Sequence, residues 1–235
     1  GVSLARNNGI KHASADLITF LDADDEWCPQ FLETIIYLRQ RFPDAGMYAT
    51  SYCLGYKSHT VNPKIRGIPS YPWEGILDSY FKILVTSSAL PFVMISVGVP
   101  KTTLADVGQF NPDVHNGEDL ELFYNIAMHY PIAYSTYIGA VYHQISENKA
   151  TRKFRGSESH FNKYISQYSE EELRLLPFYA DLCKYSEKCY LINAYVNIGA
   201  GKAKNARKSL SRVKSKMFLG QKLILMALAM IPFSL

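Results

Sequence analysis

Three aspartates, Asp22, Asp24 and Asp25, end an apolar run of strand length, Leu17-Ile18-Thr19-Phe20-Leu21. Carboxylates at the end of a buried strand are costly unless something positive meets them. Hard oxygens at this D-x-D spacing suit Mg2+ or Mn2+, which keep waters and take substrate phosphates as further ligands. Aspartate is also favoured as a helix cap or in a solvated turn, and the spacing alone leaves both readings open. A second acidic pair, Glu118-Asp119, follows Gly117 at a loop-to-helix junction. The helix dipole favours carboxylates there. A general base taking a proton from an acceptor hydroxyl is the chemical reading, and ordinary helix-start charge is the plainer one. His143 ends a strand and could lend an imidazole to a metal, although a lone histidine often only packs or faces solvent. Arg152, Lys153 and Arg155 could clamp a diphosphate or simply solvate a loop.

The elements that must position these groups can be read from periodicity. Ser3 to Ala15 reads as a helix, with Ala5, Ile10 and Ala13 toward a core. Pro29 suits the first position of a helix reaching Arg41, with Phe31, Leu32, Ile35, Ile36 and Leu38 at helical spacing. Met47 to Leu54 reads as a strand, Lys57 to Tyr71 as a polar loop that would carry acceptor choice, and Trp73 to Val85 as a helix. Phe92 to Val97 is strand-like and leads into a short helix or turn, Lys101 to Val107. Glu118 opens a helix ending near His129, with Leu120, Phe123, Ile126 and Ala127 on one face. Ile132 to Tyr134 and Ile138 to His143 read as two strands, and Ser146 to Gly156 as a basic loop. From Ser157 the pattern is helical. Ser169 with Glu172 matches a capping box, and Pro177 breaks or kinks the helical pattern beyond it. Strands alternating with helices predict an α/β domain followed by a helical appendage.

Composition narrows the class. At 235 residues with 48% hydrophobic content, the chain can bury a full core. The 17 tyrosines fit a surface that handles ring-shaped polar ligands, or an ordinary core. Cys28, Cys53, Cys183 and Cys189 form no CxxC pair, which predicts free thiols in a reducing compartment. The net charge of +4 conceals a division: nine Lys and Arg residues and no acidic residue follow Glu187. Leu223 to Leu235 is nearly all apolar and too short to span a bilayer. A basic segment with an apolar end predicts contact with an anionic membrane surface, against the alternative of a helix packed on its own domain or on a partner. No aromatic platform accompanies the charges, which argues against nucleic acid.

In their order and separation these motifs resemble the family-2 glycosyltransferases of the GT-A fold. The likeness runs through Gly1, Ala5-Arg6-Asn7, Gly9 and Ala13, then Phe20-Leu21-Asp22-Ala23-Asp24-Asp25. It resumes at Val107-Gly108-Gln109-Phe110 and Glu118-Asp119-Leu120, and ends near Tyr142-His143. The resemblance implies a GT-A-like mixed sheet flanked by helices over residues 1–155, with a helical region over 156–235. It implies a hexosyltransferase-type enzyme with a nucleotide-sugar donor, a saccharide or lipid-linked acceptor and Mn2+ or Mg2+. By that likeness Asp22 contacts the donor ribose or the metal, and Asp24 binds the metal that bridges the diphosphate. His143 adds a further metal or diphosphate contact, and Arg6 approaches the diphosphate. Asp119 becomes the catalytic base, and Glu118 positions the acceptor or the loop. Relatives begin with two further strands that carry nucleotide recognition. Their absence here implies an N-terminally truncated domain.

The function expected is inverting sugar transfer in surface-polysaccharide or glycoconjugate synthesis, in the cytoplasm or peripheral at the inner face of the plasma membrane. Two other classes stay open on the residues alone. One is a non-catalytic fragment or pseudoenzyme that binds partners or membrane. The other is a nucleotidyl- or phosphotransferase using the same aspartates.

Overall fold

The computed structural model describes residues 1–114, 117–144 and 160–230, and it divides into two units, 1–150 and 151–235. The first is organised by two long strands, β3 (Met47–Gly55) and β7 (Ile132–His143), paired in parallel along their length. β3 is buried along most of its length, as a strand covered on both faces must be. Around this pair the sheet runs β1 (Leu17–Thr19), β6 (Val97–Pro100), β3, β7, β2 (Glu26–Trp27). The short strands β4 (Thr60–Val61) and β5 (Glu74–Ile76) pair with β3 and β7. Every pairing except β3–β7 is antiparallel. The helices of this unit are α1 (Val2–His12), α2 (Phe31–Arg41), α3 (Tyr80–Thr86), α4 (Lys101–Val107) and α5 (Glu118–His129). The result is the mixed sheet flanked by helices that the resemblance implies.

α2 buries Phe31, Ile35 and Leu38 against Tyr48 and Ala133, and leaves Leu32 and Ile36 exposed. Pro29 lies two residues ahead of this helix rather than at its first position. Trp27 packs beside this core and anchors β2 by donating from Nε1 to the Ile95 carbonyl at 2.8 Å. The tyrosines divide between core and surface: Tyr48, Tyr52, Tyr80, Tyr124 and Tyr134 are buried, while Tyr37, Tyr56, Tyr71 and Tyr195 are exposed. All four cysteines are free thiols.

Three expected elements differ. The helix expected over Trp73 to Val85 is a strand, Glu74–Ile76, followed by a helix from Tyr80. Ser79 divides them, because its hydroxyl caps α3 by accepting from the Lys82 N–H at 3.1 Å. The strand expected over Phe92 to Val97 is a 3-10 turn at Met94–Ser96, and the strand proper follows it. Ser96 Oγ accepts from the Val93 N–H and donates to the Val93 carbonyl, which closes that turn. The two strands expected around Tyr134 and Ile138 are one, with register shifts against β3 at Thr50–Tyr52.

Gly139 sits at this irregularity. A Cβ there would run into Thr50 Oγ1 and approach the Phe31 ring at 2.8 Å. Gly139→Ala is therefore expected to destabilise the fold by about 1–3 kcal/mol through overpacking. The expected reading is a lower urea midpoint with an unchanged slope.

The second unit is helical: α6 (His160–Ile165), α7 (Glu170–Arg174), α8 (Tyr179–Gly199), α9 (Ala203–Leu210) and α10 (Leu219–Leu228). The capping box expected at Ser169 and Glu172 is present. Pro177 falls in the break between α7 and α8. The expected loop at Ser146 to Gly156, with Arg152, Lys153 and Arg155, lies outside the described residues, as does the end of the Leu223 to Leu235 segment. Among the described residues no helix is long and apolar enough to cross a membrane.

Candidate functional site

β1 ends at Thr19, and the chain then makes a tight turn in which the Asp25 N–H donates to the Asp22 carbonyl at 3.1 Å. The turn sorts the three aspartates. Asp24 stands exposed at its corner, while Asp25 points inward and is only 8% exposed. β2 follows at once and pairs with the end of β7, so Asp25 meets the backbone of His143, whose N–H donates to Oδ1 at 2.8 Å. Asp25 Oδ2 is buried without a hydrogen-bond partner. Burial pushes the Asp25 carboxyl up to about 6, the charges of Asp24 and Asp22 add to this, and the His143 N–H opposes it.

Arg6, on α1, joins this turn to the second acidic pair. Its Nη2 donates to Asp22 Oδ1 at 2.9 Å and Oδ2 at 3.2 Å, and its Nη1 donates to Glu118 Oε1 at 3.1 Å. The guanidinium also stands over the Phe110 ring at 5.3 Å. The neighbouring Asn7 holds the backbone of Phe110 from both sides: Nδ2 donates to its carbonyl at 2.8 Å, and Oδ1 accepts from its N–H at 3.0 Å. This amide clamp fixes the Gly108-Gln109-Phe110 segment, and Gly117, with φ of +81°, then admits the chain to α5.

Asp119 lies in the first turn of α5, where Oδ1 accepts from the Leu120 N–H at 2.8 Å. Its carboxyl is raised above the ordinary aspartate value, first by burial and then by the neighbouring Glu118 charge, with Leu120 and Arg6 pulling the other way. The Tyr142 hydroxyl is raised by its own burial and then by Asp25, Asp119, Asp22 and Asp24 in turn. All four carboxylates thus act on one phenol. Beneath them, the buried Tyr80 hydroxyl has no hydrogen-bond partner and also feels Asp119.

The structure therefore brings together Arg6, Asp22, Glu118 and Asp119, with Asp24 and Asp25 on the same turn. Arg6, which the resemblance sends to a diphosphate, has its guanidinium on two carboxylates. His143 reaches the site by its backbone, while its ring Nε2 lies 3.0 Å from Glu26 Oε1. Sequence reasoning gave no role to Asn7, Tyr80 or Tyr142, and did not separate Asp25 from its neighbours. The Ala5-Arg6-Asn7 and Gly108-Gln109-Phe110 motifs were visible separately, without any sign that they touch.

The donor set suits a hard divalent cation: an exposed Asp24, with the buried and unpartnered Asp25 Oδ2 beside it. Among the described residues no three His, Cys, Asp or Glu side chains gather into a ready-made cage. A cation bound here would complete its shell with water and substrate oxygens.

Residues 1–95 match the family model described as Glycosyl transferase family 2. Over that stretch the resemblance read from the sequence holds. The match includes Arg6, Asp22 and Asp24, and stops before Glu118, Asp119 and His143. No curated protein matches the chain. Among solved structures, S. aureus TarS 1-349 aligns with a TM-score of 0.48 at 13% identity, over 89% of this chain and 69% of that one. A second S. aureus TarS structure aligns with 0.48 at 12% identity, over 89% and 42%. GalNAc-T7, solved with UDP, GalNAc and Mn2+, aligns with 0.47 at 13% identity, over 99% and 45%. The chain thus spans less than half the length of the latter two.

Proposed function

We propose that this chain, whose residues 1–95 match Glycosyl transferase family 2, moves a sugar from a nucleotide-sugar donor to an acceptor hydroxyl with inversion at the anomeric carbon. The supporting observation is the meeting of the Asp22–Asp25 turn with the Glu118-Asp119 helix start through Arg6. Asp24, with the unpartnered Asp25 Oδ2 beside it, would hold Mn2+ or Mg2+ against the donor diphosphate, while Asp22 is engaged by Arg6 and the His143 ring by Glu26. The cation, when bound, offsets the charge that develops on the leaving nucleoside diphosphate.

Asp119 accepts the proton of the acceptor hydroxyl while that oxygen bonds to the anomeric carbon. The bond from that carbon to the diphosphate breaks on the opposite face, and its electron pair leaves with the nucleoside diphosphate. A carboxyl raised by burial is better matched to this proton transfer than an ordinary aspartate. Glu118 gives its charge to Arg6, so its part is to hold the start of α5 in place. The acceptor is a saccharide or lipid-linked glycan, and the product a surface polysaccharide or glycoconjugate. The setting in this reading is the cytoplasm or the inner face of the plasma membrane.

Isothermal titration of a nucleotide-sugar panel tests the reading. At least one donor is expected to bind only with Mn2+ present, and Asp24→Ala to weaken that binding about tenfold or more. Absence of donor binding, or undiminished binding by Asp24→Ala, overturns it, and the former favours a non-catalytic module.

A further inference from the structure

α10 is built inside out for a helix in water. Viewed down its axis at 100° per residue, one half-turn carries Leu219, Met230, Leu223, Ala227, Gly220, Ile224 and Leu228 in angular order. All seven are exposed, with Leu223 at 57%, Ile224 at 65% and Met230 at 67%. The charged residue of the helix, Lys222, lies on the other side and donates from Nζ to the Val213 carbonyl at 2.6 Å. Leu225, Met226 and Ala229 share that packed side. A surface helix ordinarily turns its polar face outward and its apolar stripe inward. Here the outward face carries no charged group.

The surroundings of this face are basic at both ends. Lys214 and Lys216 are exposed just before α10. At the other end, Arg207 of α9 donates from Nη1 to the Ala229 carbonyl at 2.9 Å, which sets α9, with Lys204 and Lys208, against the end of α10. No acidic residue follows Glu187 in the sequence. Glu187 itself accepts from the Ser215 N–H at 2.9 Å.

We propose that this face is a docking surface for an anionic lipid bilayer. α10 lies in the interfacial plane, with Leu219, Leu223, Ile224 and Met230 among the acyl chains. Lys214, Lys216 and the basic residues of α9 lie at the headgroups. The ten residues of α10 give an apolar strip about 15 Å long, suited to lying in the interface rather than crossing it. Charge complementarity selects this occupant. A second copy of the chain would bring an equally basic rim against the first, whereas acidic headgroups neutralise it. The inference is independent of sugar transfer and holds whether or not the chain is catalytic.

Vesicle flotation with the full chain tests it, using phosphatidylcholine alone and phosphatidylcholine with phosphatidylglycerol. Flotation is expected only with the anionic vesicles and is expected to fall as salt is raised. Leu223→Ser with Ile224→Ser, both at exposed positions, should weaken partitioning about tenfold or more. Lys214→Gln with Lys216→Gln should do so to a similar extent. Wild-type chain that stays with neither vesicle, or floats equally with both, overturns the proposal. So does equal flotation by the variants. A dimer in lipid-free solution that the Leu223→Ser, Ile224→Ser pair dissociates, without any change in flotation, also overturns it and assigns the face to a second copy.

Discussion

Asp119→Asn is expected to lower kcat for sugar transfer by about 10²–10⁴-fold, the usual contribution of a general base. Affinity for nucleoside diphosphate with Mn2+ should stay unchanged. The substitution keeps the shape of the side chain, and the amide oxygen can still accept from the Leu120 N–H. What it removes is the site that takes the proton. The pH dependence supplies a second reading. Burial and the Glu118 charge raise the Asp119 carboxyl, so its protonated form persists to higher pH than in an ordinary aspartate. In that form it cannot act as a base. The acidic limb of kcat should therefore lie above the normal aspartate range, with activity rising as pH increases through it, and the limb should vanish in Asp119→Asn. Steady-state rates across pH for the two proteins decide the matter. Equal turnover, or an acidic limb that survives the substitution, removes Asp119 from the role of base.

What could be read in the sequence depended on whether the cause was local. α5 spans Glu118–His129 as expected, because a glycine, an acidic first turn and a helical apolar period all act within a dozen residues. β2 is only two residues long and exists through pairing with β7, so no periodicity could announce it. The Asp22–Asp25 cluster was visible as residue types. Its division into an exposed Asp24 and a buried Asp25 arises from a turn and from a backbone N–H 118 residues away. The tyrosines were ambiguous because a phenol suits either a wet surface or a core. Arg6, which joins the two acidic sites, and Asn7, which clamps Phe110, make these contacts 112 and 103 residues along the chain. The motifs were legible, but their convergence belongs to tertiary structure.

That convergence makes Arg6 the residue whose loss should most disturb the site as a unit. In Arg6→Ala, two carboxylates that now share one guanidinium are left facing each other. The Arg6 and Glu118 side chains are each only 12% exposed, whereas Asp22 is 39% exposed. Removing one partner of a buried ion pair costs about 3–5 kcal/mol. The openness of Asp22 puts the expected loss near the low end, about 3 kcal/mol, read as a fall in the urea midpoint. Arg6→Lys should recover only part of it, since one ammonium cannot reproduce a planar fork reaching two acids. Arg6→Ala combined with Glu118→Ala should be less destabilised than the sum of the single changes, because the second change removes the charge that the first one strands. A merely structural account would end there. Arg6 also draws the Asp119 carboxyl downward, so its removal should shift the acidic limb of kcat to higher pH. A variant with lowered stability and an unmoved limb would show that Arg6 holds the two acidic sites together without tuning the base between them.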